Sequence, residues 1–198
     1  MTQGLRRIGL LGGAFDPPHN AHLAVARAAL EQLGLDELRI IPTGQAWHKS
    51  RPLTSPIHRL AMVRLAFVGL PRVVIDEREL ARSGPTYTID TLEALRSEQP
   101  HAEFYLVIGG DQWASFTTWR RWQDVAAQAR LCVAVRPDLA RHGPAGLSVT
   151  HLKMAPMALS ATDLREDLGA GRPIAQRADD LPVGVARYIS EHHLYGAS

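Results

Sequence analysis

The chain has 198 residues, 45% of them apolar, which suits one compact domain over residues 1–198 with a full core. With 22 basic against 20 acidic residues and a formal charge of +2, and with its arginines scattered, it lacks the electrostatic footprint of a nucleic-acid binder. A single cysteine excludes an internal disulfide, and no stretch nears the roughly 20 apolar residues that span a bilayer. The short apolar run near the N-terminus is interrupted by Gly12, Asp16 and Pro17 before a signal core is complete, so a cytoplasmic protein with no membrane partner is expected.

Apolar runs at 8–11, 38–41, 73–75, 104–108, 131–135 and 147–152 predict strands. They alternate with stretches of helical period at 19–33, 56–68, 88–97, 119–129, 161–168 and 182–192. This alternation predicts an α/β fold: a doubly wound, mostly parallel sheet with helices on both faces, and a C-terminal helical part from about residue 160. In such a sheet the ligand lies beyond the carboxyl ends of the strands at a switch point, so the loops after Leu11, Ile41 and Ile108 are expected to converge on it. Cys132 falls inside an apolar run and reads as a buried strand residue.

The first of those loops is the most informative. Gly12-Gly13 permits a sharp turn and close approach of backbone to a ligand. Asp16, Pro17 and Pro18 follow, then His19 and His22, three residues apart and so on one face of the first helical turn. Free backbone N–H groups and the positive end of the helix dipole favour an anion there, and phosphate fits. Each imidazole donates a hydrogen bond when neutral and is expected to gain charge cheaply near neutral pH. Asp16 is placed to accept from a ring N–H or from loop amides and so to fix the loop. Taken alone, a histidine pair at this spacing reads as a solvated helix start or cap; the loop ahead of it reverses that reading. Zinc is disfavoured because the spacing is not HExxH, and Gly9, Gly12 and Gly13 do not follow the GxGxxG dinucleotide pattern.

The stretch GGAFDPPHNAHL at 12–23 resembles the GG(T/S)FDPxHxGHL signature of the HxGH nucleotidylyltransferase superfamily. Ala14 stands where that pattern has Thr or Ser, and Ala21 where it has Gly. Further segments are similar to nicotinate-nucleotide adenylyltransferases, and together they cover essentially the whole chain. Trp47-His48-Lys49 keeps the HK end of a P..PPHK loop, and Tyr87-Thr88-Ile89-Asp90-Thr91-Leu92 matches the YTIDTL stretch. Gly109-Gly110-Asp111 parallels G-A-D, and Thr118-Trp119-Arg120-Arg121-Trp122 parallels T-W-x-x-W. Leu159-Ser160-Ala161-Thr162-Asp163-Leu164-Arg165 is similar to ISSTxIR with Ala161 for the second serine, and the tail at 181–195 resembles the closing V-x-x-Y-I-x-x-H-x-L-Y helix.

The resemblance implies a Rossmann-like nucleotidylyltransferase fold and adenylyl transfer from ATP to nicotinate mononucleotide, giving deamido-NAD and pyrophosphate in NAD biosynthesis. It implies His19, His22 and Arg165 as catalytic, with ATP also contacted by Gly12, Gly13, Ala14, Phe15, Gly109, Asp111, Ser160 and Thr162. Asp16, His48, Lys49, Tyr87, Thr88 and Trp119 are implied for the acceptor, with Trp119 stacking on its pyridine ring. Mg²⁺ is expected to arrive on the triphosphate, with no all-protein metal site. The alternatives are another acceptor, either nicotinamide mononucleotide or pantetheine phosphate, or a non-catalytic nucleotide sensor. Pantetheine-phosphate adenylyltransferases are shorter and lack the YTIDTL and TW segments.

Overall fold

The computed structural model describes residues 5–45, 52–134, 144, 146–155, 157 and 159–197. Among them six strands, β1 (Arg7–Gly13), β2 (Glu37–Pro42), β3 (Val73–Ile75), β4 (Glu103–Gly109), β5 (Arg130–Ala134) and β6 (Val149–Leu152), form one sheet. Its order is β3-β2-β1-β4-β5-β6, and every neighbouring pair is parallel. The chain starts at the centre, winds out to β3, returns to β4 beside β1 and winds out the other way. Connections therefore leave β1 and β4 in opposite directions, which opens a crevice beyond their carboxyl ends.

The period-2 alternation of the central strands sends alternate side chains to two separate cores. Leu11, Leu38, Ile40, Val107 and Cys132 face α1 (Asn20–Gln32), α2 (Pro56–Phe67), α6 (Ala161–Gly169) and α7 (Val183–Glu191). Ile8, Leu10, Phe104, Leu106, Leu131 and Val133 face α3 (Thr88–Glu98) and α5 (Trp122–Gln128). With both faces covered, the strands are apolar on both sides, as parallel strands in a doubly wound sheet are. Cys132 is fully buried, and burial pushes its thiol up to about 11, so it packs as a small apolar group.

The departures from expectation have local causes. The first helix begins at Asn20 because His19 is extended and serves as its N-cap. The helix expected at 119–129 begins only at Trp122, because Arg121 takes a left-handed conformation at φ 51° and breaks the helical path. The short α4 (Gly110–Ala114) and a 3-10 turn, Phe116–Thr118, fill the space before it. The last strand starts at Val149, two residues later than its apolar run. Two further 3-10 turns, Ile174–Arg177 and Leu194–Gly196, complete the C-terminal part and return it to the sheet's carboxyl edge. Residue 135 and most of the loop at 137–146 lie outside the described residues.

Candidate active site

The loop between β1 and α1 is built around a buried ring. Phe15 adopts a left-handed backbone at φ 47° and is 1% exposed, a conformation that non-glycine residues hold only when their surroundings fix it. Its ring lies 4.9 Å from that of His22 and 5.9 Å from that of Phe67. A Cβ on Gly13 would come 3.2 Å from the same ring, so the glycine is what lets the turn close over it. The Asp16–Pro17 peptide bond is cis. His19 then caps α1, and the His22 ring reaches back so that its Nδ1 accepts the His19 backbone N–H at 3.1 Å. The two imidazoles stack with centroids 3.8 Å apart. Because Nδ1 of His22 accepts, the neutral ring carries its proton on Nε2 and can donate from there.

The middle and the C-terminal part of the chain brace this loop. Arg165, one turn into α6, donates from Nη1 to the Asp16 carbonyl at 2.6 Å and from Nη2 to Thr162 Oγ1 at 3.0 Å. Ser160 caps α6 by accepting the Asp163 N–H at 3.1 Å. The Asp16 carboxylate, nearly inaccessible, accepts the Tyr195 hydroxyl at 2.7 Å and the Thr54 N–H at 3.3 Å. Arg59, 1% exposed, donates to the carbonyls of Thr54 at 3.0 Å, Ala14 at 2.8 Å and Gly44 at 3.4 Å, so one guanidinium ties the loop after β1 to the loop after β2.

On the other face of the sheet a cavity of about 560 Å³ opens beyond β1 and β4. Gly12, Gly13 and Ala14 form the rim it shares with the histidine loop. Tyr87, Thr88 and Thr91 at the start of α3 line it, together with Asp111, Trp119 and Arg120. Tyr87 is the N-cap of α3 without a side-chain cap bond, and the Thr91 N–H makes the first intrahelical bond, to Tyr87 O. The amides ahead of it therefore have no partner within the helix, which suits an anion. Trp119 is half-buried with its ring 5.3 Å from that of Phe116. The floor holds Glu79, whose Oε1 accepts the Thr91 hydroxyl at 2.8 Å, and Arg82 donates in turn to Thr91 Oγ1 at 2.9 Å. A Cβ on Gly44 would overlap the Glu79 carbonyl oxygen, so glycine is required where the two loops cross.

Residues 10–167 match the cytidylyltransferase-like family. A protein of Albidiferax ferrireducens named "probable nicotinate-nucleotide adenylyltransferase" is 48% identical, with 96% of this chain and 98% of that protein covered. One of the same name from Methylibium petroleiphilum is 44% identical over 96% of this chain and 92% of its own length. The chain belongs to the nicotinate-nucleotide adenylyltransferase family. The fold is shared more widely. Plasmodium falciparum nicotinic acid mononucleotide adenylyltransferase, solved in complexes with APC and with NaAD, superposes with a TM-score of 0.78 in both. Those pairs are 18% and 19% identical, each covering 98% of both chains.

In this member of the adenylyltransferase family the structure gathers His19, His22, Ser160, Thr162, Arg165 and Asp16 at the β1–α1 loop. It gathers Tyr87, Thr88, Asp111 and Trp119 around the cavity, with Gly12, Gly13 and Ala14 between the two groups. Gly109 ends β4 and caps α4. His48 and Lys49 lie outside the described residues. Arg59, Tyr195, Glu79 and Arg120 are the participants that motif reading misses. Among the described residues no three His, Cys, Asp or Glu side chains are grouped to hold a metal ion, and no helix is long and apolar enough to cross a membrane.

The histidines are electrostatically unlike their sequence expectation. Burial lowers His19 to about 4, and burial together with the neighbouring His19 holds His22 well below the usual imidazole range. Charging these rings is costly, so at pH 7 both are neutral in the unliganded protein. Burial likewise raises the Glu79 carboxyl, against the Thr91 hydrogen bond that lowers it; Thr86 Oγ1 lies near enough to favour its charge but makes no hydrogen bond. Burial also lowers the Arg59 guanidinium, with Asp16 opposing the shift.

The His19 shift sets a stability prediction. Unfolded His19 titrates near 6.5 and the folded group near 4, so between these values the unfolded chain binds more protons and stability falls as pH drops. Urea unfolding of wild type and His19→Asn at pH 7 and pH 4 is expected to show wild type losing about 3 kcal/mol more than the variant. Equal losses would mean that the ring charges without penalty.

Proposed function

We propose that this protein transfers the adenylyl group of ATP to nicotinate mononucleotide, releasing pyrophosphate and forming deamido-NAD, a step of NAD biosynthesis. The observation that carries the reading is the meeting of two unlike half-sites over Gly12–Ala14: neutral imidazole donors with a guanidinium on one side, and an aromatic-walled cavity with a helix N-terminus on the other. A nucleotide polyphosphate suits the first and a flat anionic ring suits the second.

Transfer requires an acceptor phosphate oxygen to bond to the α-phosphorus while the bond from that phosphorus to the bridging oxygen of pyrophosphate breaks. Positioning and charge neutralisation carry such a reaction, and no covalent nucleophile is needed. His19 and His22 donate to the α-phosphate and to the bridging oxygen. Arg165, aligned by Thr162 and Asp16 O, takes the charge that builds on the leaving pyrophosphate. The turn at Gly12, Gly13 and Ala14 and the cap of α6 at Ser160 supply backbone donors. Phe15 contributes backbone, since its ring is buried beneath His22. Gly109 and Asp111 border the nucleoside. Trp119 stacks on the pyridine and the amides at Tyr87 and Thr88 receive its carboxylate. Asp16 shapes the loop between the two ligands, and His48 and Lys49 are assigned the acceptor phosphate by resemblance. Mg²⁺ bound to the triphosphate would neutralise part of its charge, with phosphate oxygens and water as its main ligands. The reading includes the cytoplasmic location expected from the sequence.

Pyrophosphate release, measured with ATP and each of nicotinate mononucleotide, nicotinamide mononucleotide and pantetheine phosphate, tests this. Highest kcat/KM with the nicotinate compound is expected. Preference for another acceptor would move the protein to a different adenylyl transfer, and ATP binding without release would make it a sensor.

A further inference from the structure

Arg120 is exposed at the mouth of the cavity, and its guanidinium lies 4.7 Å from the centroid of the Tyr87 ring. Tyr87 caps α3, so this stacking holds a permanent cation beside the helix end whose first amides lack intrahelical partners. The next residue, Arg121, is engaged with Glu93 at 2.8 Å and Asp124 at 2.6 Å, whereas Arg120 forms no ion pair among the described residues. The cavity's buried acid does not compete for it, because Glu79 is tied to Thr91 and through Thr91 to Arg82. Nearby, Thr86 is buried, lines the same cavity and sets its hydroxyl close to the Glu79 carboxylate, whose charge it favours.

These groups differ in what they can tell apart. A hydroxyl or a backbone N–H donates to an oxygen of either a carboxylate or a carboxamide. A guanidinium gains a charge-assisted, two-pronged bond only with the carboxylate and meets donor with donor at the amide nitrogen. We propose that Arg120, held over Tyr87, is the specificity-determining residue that selects an acceptor with a ring carboxylate over its carboxamide counterpart. This rests on the acceptor assignment made under Proposed function.

The test uses the full chain and its Arg120→Gln and Arg120→Lys variants, with thermal melts to confirm folding and kcat and KM measured separately for nicotinate and nicotinamide mononucleotides. In Arg120→Gln the acid-over-amide ratio of kcat/KM is expected to fall about tenfold or more, mainly through the KM for the acid. Arg120→Lys recovers part of it, since it returns the charge without the fork. A wild type active on the acid whose Arg120→Gln variant keeps the same ratio overturns this inference alone. A wild type that releases no pyrophosphate with either compound overturns the functional reading and this inference together.

Discussion

Replacing His22 by alanine is expected to lower kcat for adenylyl transfer by about 10²-fold or more while the far-UV circular dichroism stays that of wild type. The ring has two tasks. Its Nδ1 accepts the His19 N–H at the helix start, which leaves the proton on Nε2, the donor that the proposed function assigns to phosphate. Losing the first costs about 1 kcal/mol, the scale of an N-terminal cap, and a folded protein tolerates it. Losing the second removes a preorganised donor from a site where charge develops, and single donors of that kind are worth about 10²–10³ in rate. Because burial keeps the pair neutral in the free enzyme, the donor is present without a protonation step, so the pH profile of kcat/KM is expected to show no ionisation of this pair between pH 8 and pH 6. An alanine variant with full kcat would detach the histidine pair from the reaction.

The sheet was legible because its strands are short apolar runs separated by helical periods, and neither signal depends on distant residues. The His19–His22 pair was legible for a similar reason: three-residue spacing at a helix start puts two rings together whatever the rest of the chain does. What stayed hidden was whatever depends on distant contacts or on burial. The lowered titration of His19 and His22 comes from their being covered, partly by Phe15, whose left-handed backbone has no signal in its own side chain. From the sequence Trp119 opens a helix, because nothing in the residue type of Arg121 announces a positive φ. Glu79 reads as an ordinary surface acid until Gly44 and Thr91 are seen against it. The hydrogen bond from Tyr195 to Asp16 spans 179 positions, and no local pattern encodes it.

Arg59 is the plainest case of a residue whose importance only the fold reveals, and it carries the largest expected effect on stability. It sits in an amphipathic helix where an arginine reads as solvent-facing, yet it is almost fully buried and its three nitrogens each hold a backbone carbonyl. Replacement by methionine fills most of the volume but leaves the carbonyls of Thr54, Ala14 and Gly44 without that donor, and strips the buried Asp16 of a nearby cation. Hydrogen bonds to charged donors are worth about 1.5–3 kcal/mol each, and the desolvation of the buried guanidinium, which methionine avoids, offsets part of that sum. Arg59→Met is therefore expected to lose about 4 kcal/mol, which for a chain of this size lowers Tm by about 10 °C. Asp16 keeps its bonds from Tyr195 and Thr54, but adding Asp16→Asn removes the charge that the guanidinium favours, so the double variant is expected to be more stable than the sum of the single losses, by about 1 kcal/mol or more. Since the guanidinium joins the loops after β1 and β2, the surviving folded fraction is expected to show raised KM for both ATP and the acceptor at 25 °C. Strict additivity of the two substitutions would mean that Asp16 and Arg59 do not share one electrostatic network.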